Sequence, residues 1–294
     1  MLIFGIPLQL LSTQILLGLI NGAFYAILSL GLAIIFGLLN IVNFAHGAFY
    51  MMGAFGALLL LDHFAINYWV ALIVMPLAIG LMGCIVERLI LRRLYELDHM
   101  YGMILTYGMG LVIVGLFRNQ YGATGLPYAL PAALQGGVNL GFMFLPISRA
   151  FVLVASVAVC LATWLMIEKT RLGSWLRAAT EKPALTEAFG INVPMLITLT
   201  YGFGVALAAF AGVLAAPIQS VNPMMGADLI IVVFAVVVIG GMGSISGAIL
   251  TGFMLGLIEG LTKVFWPQAS TTVIFVIMAV ILLLRPAGLF GKQA

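Results

Sequence analysis

The chain is a succession of apolar runs too long and too continuous for a water-soluble fold to cover. They occupy residues 10–36, 44–61, 66–86, 100–117, 149–167, 194–217, 229–261 and 271–284, and they are almost free of charge. Of the 294 residues, 64% are hydrophobic and 7% charged, where an ordinary soluble domain has about 25% charged residues. A soluble protein must wet its outside, and this composition leaves too little polar surface to do so. A bilayer removes that requirement. It then demands that backbone polar groups be satisfied within each segment, which leaves helices or closed barrels. The runs are unbroken and do not alternate, so they read as helices. The stretch 229–261 is long enough for two spans broken at Gly240–Gly247, giving eight or nine crossings in all.

Charge gathers in two connections. Glu87, Arg88, Arg92, Arg93, Glu96 and Asp98 form the first. Glu168, Lys169, Arg171, Arg177, Glu181, Lys182 and Glu187 form the second. Basic loops stay on the cytoplasmic side, which places both there together with the tail bearing Arg285 and Lys292. The connections 62–67, 118–148 and 218–227 then lie on the opposite face, and counting back puts the N-terminus there too. No basic segment or small-residue cleavage site opens the chain, so the first run is expected to remain as a span. No connection is long enough for a separate folded unit. No phosphate-binding Gly-rich loop ending in Gly-Lys-Ser/Thr is present, so transport driven by ATP would need an ATPase on another chain.

Four stretches carry polar or steric information. In Asn40–Tyr50, Asn40, Asn43 and Gly47 share one helical face and Asn43, His46 and Tyr50 an adjoining one. Uncharged polar groups at membrane depth face protein or water, so this is either a polar turn lining a pathway or a satisfied helix end. His46 has no second ligand placed for a metal. Gly240–Gly247 is either a broken helix beside the pathway or a tight turn between two spans. Gly252, Gly256 and Gly260, with Gly18 and Gly22, form ridges for close helix packing. In the second charged connection, Pro183 suits a helix first turn and Gly190 its C-terminal cap. The resulting helix, Pro183–Phe189, shows Leu185 and Phe189 against a charged face, and is either an insert for a partner groove or a solvated connector. Glu259 and Lys263 are spaced as a helical ion pair, and Asp228 begins a span where the helix dipole favours an acid. Cys84 and Cys160 lie in apolar runs without metal or redox spacing.

Taken together, these residues resemble the permease family of high-affinity branched-chain amino-acid ABC importers, in particular its H-type subunit. Asn21–Ile27 and Asn43–Gly47 look like the family's opening signature. Arg177–Ala184 and Gly190–Val193 look like its coupling loop, followed by Ala211–Leu214. Val238–Ser244, Gly247-Ala248 and Arg285–Gly291 look like its closing signatures. The resemblance implies an all-α polytopic transmembrane helical bundle of about eight or nine spans, with one or two broken helices and a short cytoplasmic coupling helix. It implies a single permease domain over residues 1–294 with its coupling loop at 168–193. It also implies a non-enzymatic subunit in the bacterial inner membrane, with no cofactor of its own. The partners would be a second homologous permease, two cytoplasmic ATPases and an extracytoplasmic substrate-binding protein. Asn21, Asn40, Asn43, His46, Gly240, Gly241 and Gly243 are the pathway candidates, and Glu181, Pro183, Ala184, Glu187 and Gly190 the coupling candidates. Many members carry Lys where this chain has Val232, which leaves the substrate open among branched-chain and other amino acids, short amides such as urea, and small aromatic acids. A stand-alone secondary carrier is the competing function, and it requires an essential Glu259.

Overall fold

The computed structural model describes residues 2–3, 6–39, 42–95 and 97–291. Asn40 falls outside them. The described chain is helical throughout its apolar runs: α1 (Leu8–Leu39), α2 (His46–Phe64), α3 (Tyr68–Leu89), α4 (His99–Tyr121), α5 (Ile147–Lys169), α8 (Val193–Ala215), α9 (Met225–Gly240), α10 (Ile245–Phe265) and α11 (Thr272–Leu284). Two further helices, α6 (Arg171–Glu181) and α7 (Pro183–Ala188), fill the second charged connection. Among the described residues, seven helices are long and apolar enough to cross a membrane, and α9 and α11 are shorter apolar ones. The starts of α3, α4, α8 and α10 are set by side-chain caps of the kind that satisfy free helix N–H groups. Asn67 accepts from Val70 N at 3.0 Å, Asp98 from Met100 N at 2.8 Å, Asn192 from Met195 N at 3.0 Å and Ser244 from Gly247 N at 3.1 Å.

The bundle has a basic end. Arg88, Arg92, Arg93, Lys169, Arg171, Arg177, Lys182 and Arg285 lie there, while Arg118, Arg149 and Lys263 lie at the opposite end. α1 descends to the basic end and α8 rises from it. They cross where a Cβ on Gly31 would stand 2.7 Å from the Gly204 carbonyl, and one on Gly204 would stand 2.8 Å from that of Gly31. α10 lies antiparallel on α1, and α3 lies antiparallel on α8 in the same way. The glycine ridges of the first pair mesh as expected: a Cβ on Gly256 would overlap the backbone of Gly22. Between lipid-solvated helices such small residues let backbones come close enough for dispersion to hold them.

Two buried acids tie helices together. Tyr25 Oη donates to Glu259 Oε2 at 2.7 Å, and Lys263 Nζ sits 2.6 Å from Glu259 Oε1. The Glu259 side chain is 5% exposed and that of Lys263 36%. Removing the lysine strands a buried carboxylate, which costs about 3–5 kcal/mol in a fully buried pair. With one end half in contact with solvent the expected loss for Lys263→Met is about 2 kcal/mol. Combining it with Glu259→Gln should recover most of that, and melting of the purified protein in detergent measures both. At the basic end Glu87 is wholly buried. Its Oε1 accepts from Tyr95 Oη at 2.6 Å and its Oε2 from Thr198 Oγ1, which clamps α3 and the following turn to the first turns of α8. Burial, and then the Glu87 hydrogen bond, push the Tyr95 phenol up from its ordinary value, so it holds its proton as the donor.

Candidate functional site

At the centre of the bundle two helix N-termini meet. α2 starts at His46 after a turn in which Asn43 Oδ1 accepts from Ala45 N at 3.1 Å and His46 N donates to Asn43 O at 3.2 Å. α9 starts at Met225 after the same turn: Asn222 Oδ1 accepts from Met224 N at 2.9 Å and Met225 N donates to Asn222 O at 3.3 Å. Four residues after each asparagine stands a glycine, Gly47 and Gly226, and these two pack backbone on backbone, each occupying the space a Cβ on the other would fill. From this contact α2 runs away from the basic end and α9 runs toward it. The packing of α1, α2 and α3 is repeated by α8, α9 and α10: α10 lies on α1 as α3 lies on α8, and α9 packs on α1 as α2 packs on α8, the arrangement of an inverted repeat.

The polar residues around this crossing are locked into it. Asn43 is buried and its Nδ2 donates to Tyr201 Oη on α8 at 3.0 Å. His46 is buried with Nε2 3.1 Å from the Leu28 carbonyl of α1. His46 Nδ1 and Tyr50 Oη have no partner among the described residues. Both residues line a small void against Leu229, Ile230 and Val233 of α9, with no room for a water molecule. Unpaired polar atoms at this depth are costly. Asn21 is half-buried on α1, away from this crossing.

A second concentration of candidates lies at the basic end. A cavity of about 470 Å³ is lined by Gly37 and Leu38 of α1, Glu168 of α5, Arg177, Thr180 and Glu181 of α6, and Met242–Ser246 between α9 and α10. It brings the glycine-rich break and the charged connection to one place, although they lie far apart in sequence. The break itself is a tight turn. Gly240 and Gly241 are buried beneath the C-terminal segment, where Leu289 N donates to the Ile239 carbonyl at 2.8 Å and Phe290 N to that of Gly240 at 3.2 Å. Gly243 is half-buried and faces the cavity. Pro183 opens α7 and Gly190, at φ +84°, closes it. Glu181, Pro183, Ala184, Glu187 and Gly190 are all exposed, as are Leu185 and Phe189. Val232 is buried with Tyr25, Val236 and Leu255, so it points into the α1–α10 packing.

A family model described as the permease component of branched-chain amino acid transport systems matches residues 14–284, a span holding both the central crossing and α6–α7. The chain belongs to this permease family. It is a multi-pass membrane protein. The permease is 30% identical to the high-affinity branched-chain amino acid transport system permease protein BraD of Pseudomonas aeruginosa, over 95% of each chain. It is 28% identical to LivH of Escherichia coli K12, again over 95% of each. It is also 30% identical to LivM of the same strain, over 90% of this permease and 67% of that protein.

Three features of the permease escape a reading of the sequence. The Asn222–Gly226 turn has a signal, the Asn-x-x-x-Gly spacing it shares with Asn43–Gly47. α6 has one too: Thr170 before it accepts from Leu172 N at 3.3 Å, and Leu172, Trp175, Leu176 and Ala179 follow at helical spacing. Glu87 has none, because nothing along the chain distinguishes it from the exposed charges beside it.

Proposed function

We propose that this chain is one of two permease subunits of an ATP-driven importer for branched-chain or related amino acids in the bacterial inner membrane. The observation that carries the reading is α7. At the basic end, among charged residues, Leu185 in α7 is 52% exposed and Phe189, the residue that caps it one turn later, 79% exposed. Apolar side chains presented this way on a short charged helix suit a groove on a partner. On this reading the partner is a cytoplasmic ATPase, with ATP hydrolysis on that separate chain and no cofactor on this one. The basic end, with the C-terminus, faces the cytoplasm. A substrate-binding protein delivers the solute at the other face. The names of the relatives support the substrate class, and the match of one chain to both LivH and LivM supports pairing with a second, similar permease.

The route from α7 to the membrane centre runs through α8. ATP-driven closure of the ATPases moves α7 and the start of α8. Thr198 carries that motion to Glu87 and α3, Tyr201 to Asn43, and Gly204 to Gly31. Packed elements move between discrete arrangements because they do not deform continuously. The Gly47–Gly226 crossing is then the element that changes register between outward- and inward-facing states.

The test is reconstitution. The chain purified in detergent from its host should carry a second permease and two ATPases. That complex in liposomes should accumulate labelled leucine, isoleucine or valine only with ATP and the binding protein. A chain that purifies alone and moves amino acids without ATP would overturn the importer reading in favour of a stand-alone carrier.

A further inference from the structure

The stretch Ala123–Gln135 lies at the end opposite the basic one and carries no charge. It leaves α4 at Gly122, where φ is +77°, and joins α5 through Gly136, where φ is +82° and the carbonyl accepts from Ile147 N at 3.1 Å. Glycine takes up such left-handed backbone freely. Between these two corners Pro127 and Pro131 fix the backbone, and Gln135 Nε2 donates to the Leu130 carbonyl at 3.0 Å. The stretch is a stiff strap hung on two glycines.

The strap reaches into the bundle. α8 continues for about 16 Å beyond Gly204, and the connection that follows turns back so that Gly226 meets Gly47. Val221 on this returning connection is fully buried. Leu126 of the strap pairs with it as an antiparallel bridge, each N–H donating to the other's carbonyl at 2.8 Å. Beside the bridge, a Cβ on Gly125 would stand 2.6 Å from Ser220 Oγ. Tyr128 and Leu134 are buried, and the Tyr128 ring packs edge-on against Tyr68 at the start of α3, 6.0 Å between centres. Among the described residues, the two bonds of the bridge are the hydrogen bonds that tie the strap to the bundle, and the hydroxyls of Tyr68 and Tyr128 have no partner. Lifting the strap therefore breaks two hydrogen bonds and some apolar contact, and separates no ion pair.

We infer that Ala123–Gln135 is a gate, shut here over the Asn222 turn that leads into α9 and swinging on Gly122 and Gly136. This rests on the importer reading above, in which the strap's side is the extracytoplasmic one and the Gly47–Gly226 crossing changes register. A register change there moves α9 together with the turn before it. With Leu126 bonded to Val221, that turn is tied through the strap to the ends of α4 and α5. The bridge must part before the crossing opens to the strap's side. Hinged closure of this kind concentrates the backbone change in a few residues between stiff pieces.

The experiment locks the bridge in the whole reconstituted complex. Residues paired by two such hydrogen bonds have Cα atoms about 5.5 Å apart, a separation that a disulfide spans. L126C/V221C should cross-link on mild oxidation and then accumulate at least tenfold less labelled leucine with ATP and the binding protein. Dithiothreitol should return it to within twofold of the unoxidised variant, and neither single variant should respond to the oxidant. V221C alone gives a second readout. Its thiol lies under the bridge and should react with a membrane-impermeant maleimide at least fivefold faster during ATP turnover with the binding protein than without ATP. This readout decides the matter if the double variant is inactive before oxidation. Uptake by the cross-linked complex at its reduced rate would overturn the inference and make the strap a fixed seal. Labelling of V221C that ATP leaves unchanged would do the same. Failure of the underlying reading looks different: a wild-type complex, with the bridge free, that takes up no amino acid with ATP.

Discussion

Gly226→Val should yield little folded protein, and Gly226→Ala should yield protein that melts well below the wild type. A Cβ at residue 226 overlaps the carbonyl of Gly47, and a Cβ at residue 47 overlaps that of Gly226. Both obstacles are backbone, so no rotamer change relieves them. The two helix starts must separate, and with them the Asn43 and Asn222 turns and the His46 contact to Leu28. Overpacking a fitted core costs about 1–3 kcal/mol per site, occasionally more. The alanine variant belongs near the top of that range because two elements move together, and the valine variant exceeds it. Gly47→Ala should behave like Gly226→Ala. The double alanine variant should cost clearly less than the sum of the two, because helices already separated by the first methyl admit the second. Thermal melting and gel-filtration homogeneity in detergent give all four values. Additive losses, or wild-type melting of Gly226→Ala, would show that the two N-termini do not touch as described.

The same crossing shows what the amino-acid sequence makes legible. Every apolar run became a helix within a few residues of its sequence boundaries, because length and continuous hydrophobicity in a membrane leave the backbone no other solution. Both glycine ridges were legible as packing surfaces for a related reason: small residues at four-residue spacing have one obvious use between membrane helices. Depth was not legible. Residues 218–227 read as an external connection because they lack lysine and arginine, yet the chain turns back there and Gly226 reaches the level of Gly47. Hydrophobic pattern reports that a segment is buried in the bilayer and is silent on how far down it starts. Glu87 shows the converse limit. Its sequence neighbours are loop charges, but Tyr95 and Thr198 supply two hydroxyl donors, and only the fold brings Thr198 beside it. The candidates Gly243 and Glu181 line one cavity, another juxtaposition that only the fold creates.

Phe189→Asp should abolish ATP-driven uptake while leaving the permease folded. Phe189 follows the last turn of α7 and touches little of this chain, being 79% exposed. A polar substitution at such a surface position ordinarily changes stability by no more than about 0.5 kcal/mol, so melting of the isolated chain should not move. Seated in a groove of the ATPase, the same ring is a buried aromatic anchor, and truncating an anchor of that kind costs at least about 2 kcal/mol of binding. An aspartate adds the cost of burying a charge. At about 1.4 kcal/mol per factor of ten, association of permease with ATPase should weaken at least about thirtyfold, and uptake should fall with it. Leu185→Asp, on the same face one turn earlier and 52% exposed, should lose less. Glu187→Arg lies off that apolar pair on the charged side of α7 and tests whether charge as well as shape is read by the partner. Co-purification of the ATPases, uptake in proteoliposomes and melting of the permease separate the possibilities. Uptake at the wild-type rate in Phe189→Asp would make α7 a solvated connector and move the ATPase contact elsewhere on the basic end, where α6 exposes Leu172 and Trp175. Lost uptake with ATPases still bound would instead place Phe189 in the transmission of the stroke, between the docked helix and the Thr198–Glu87 clamp at the foot of α8.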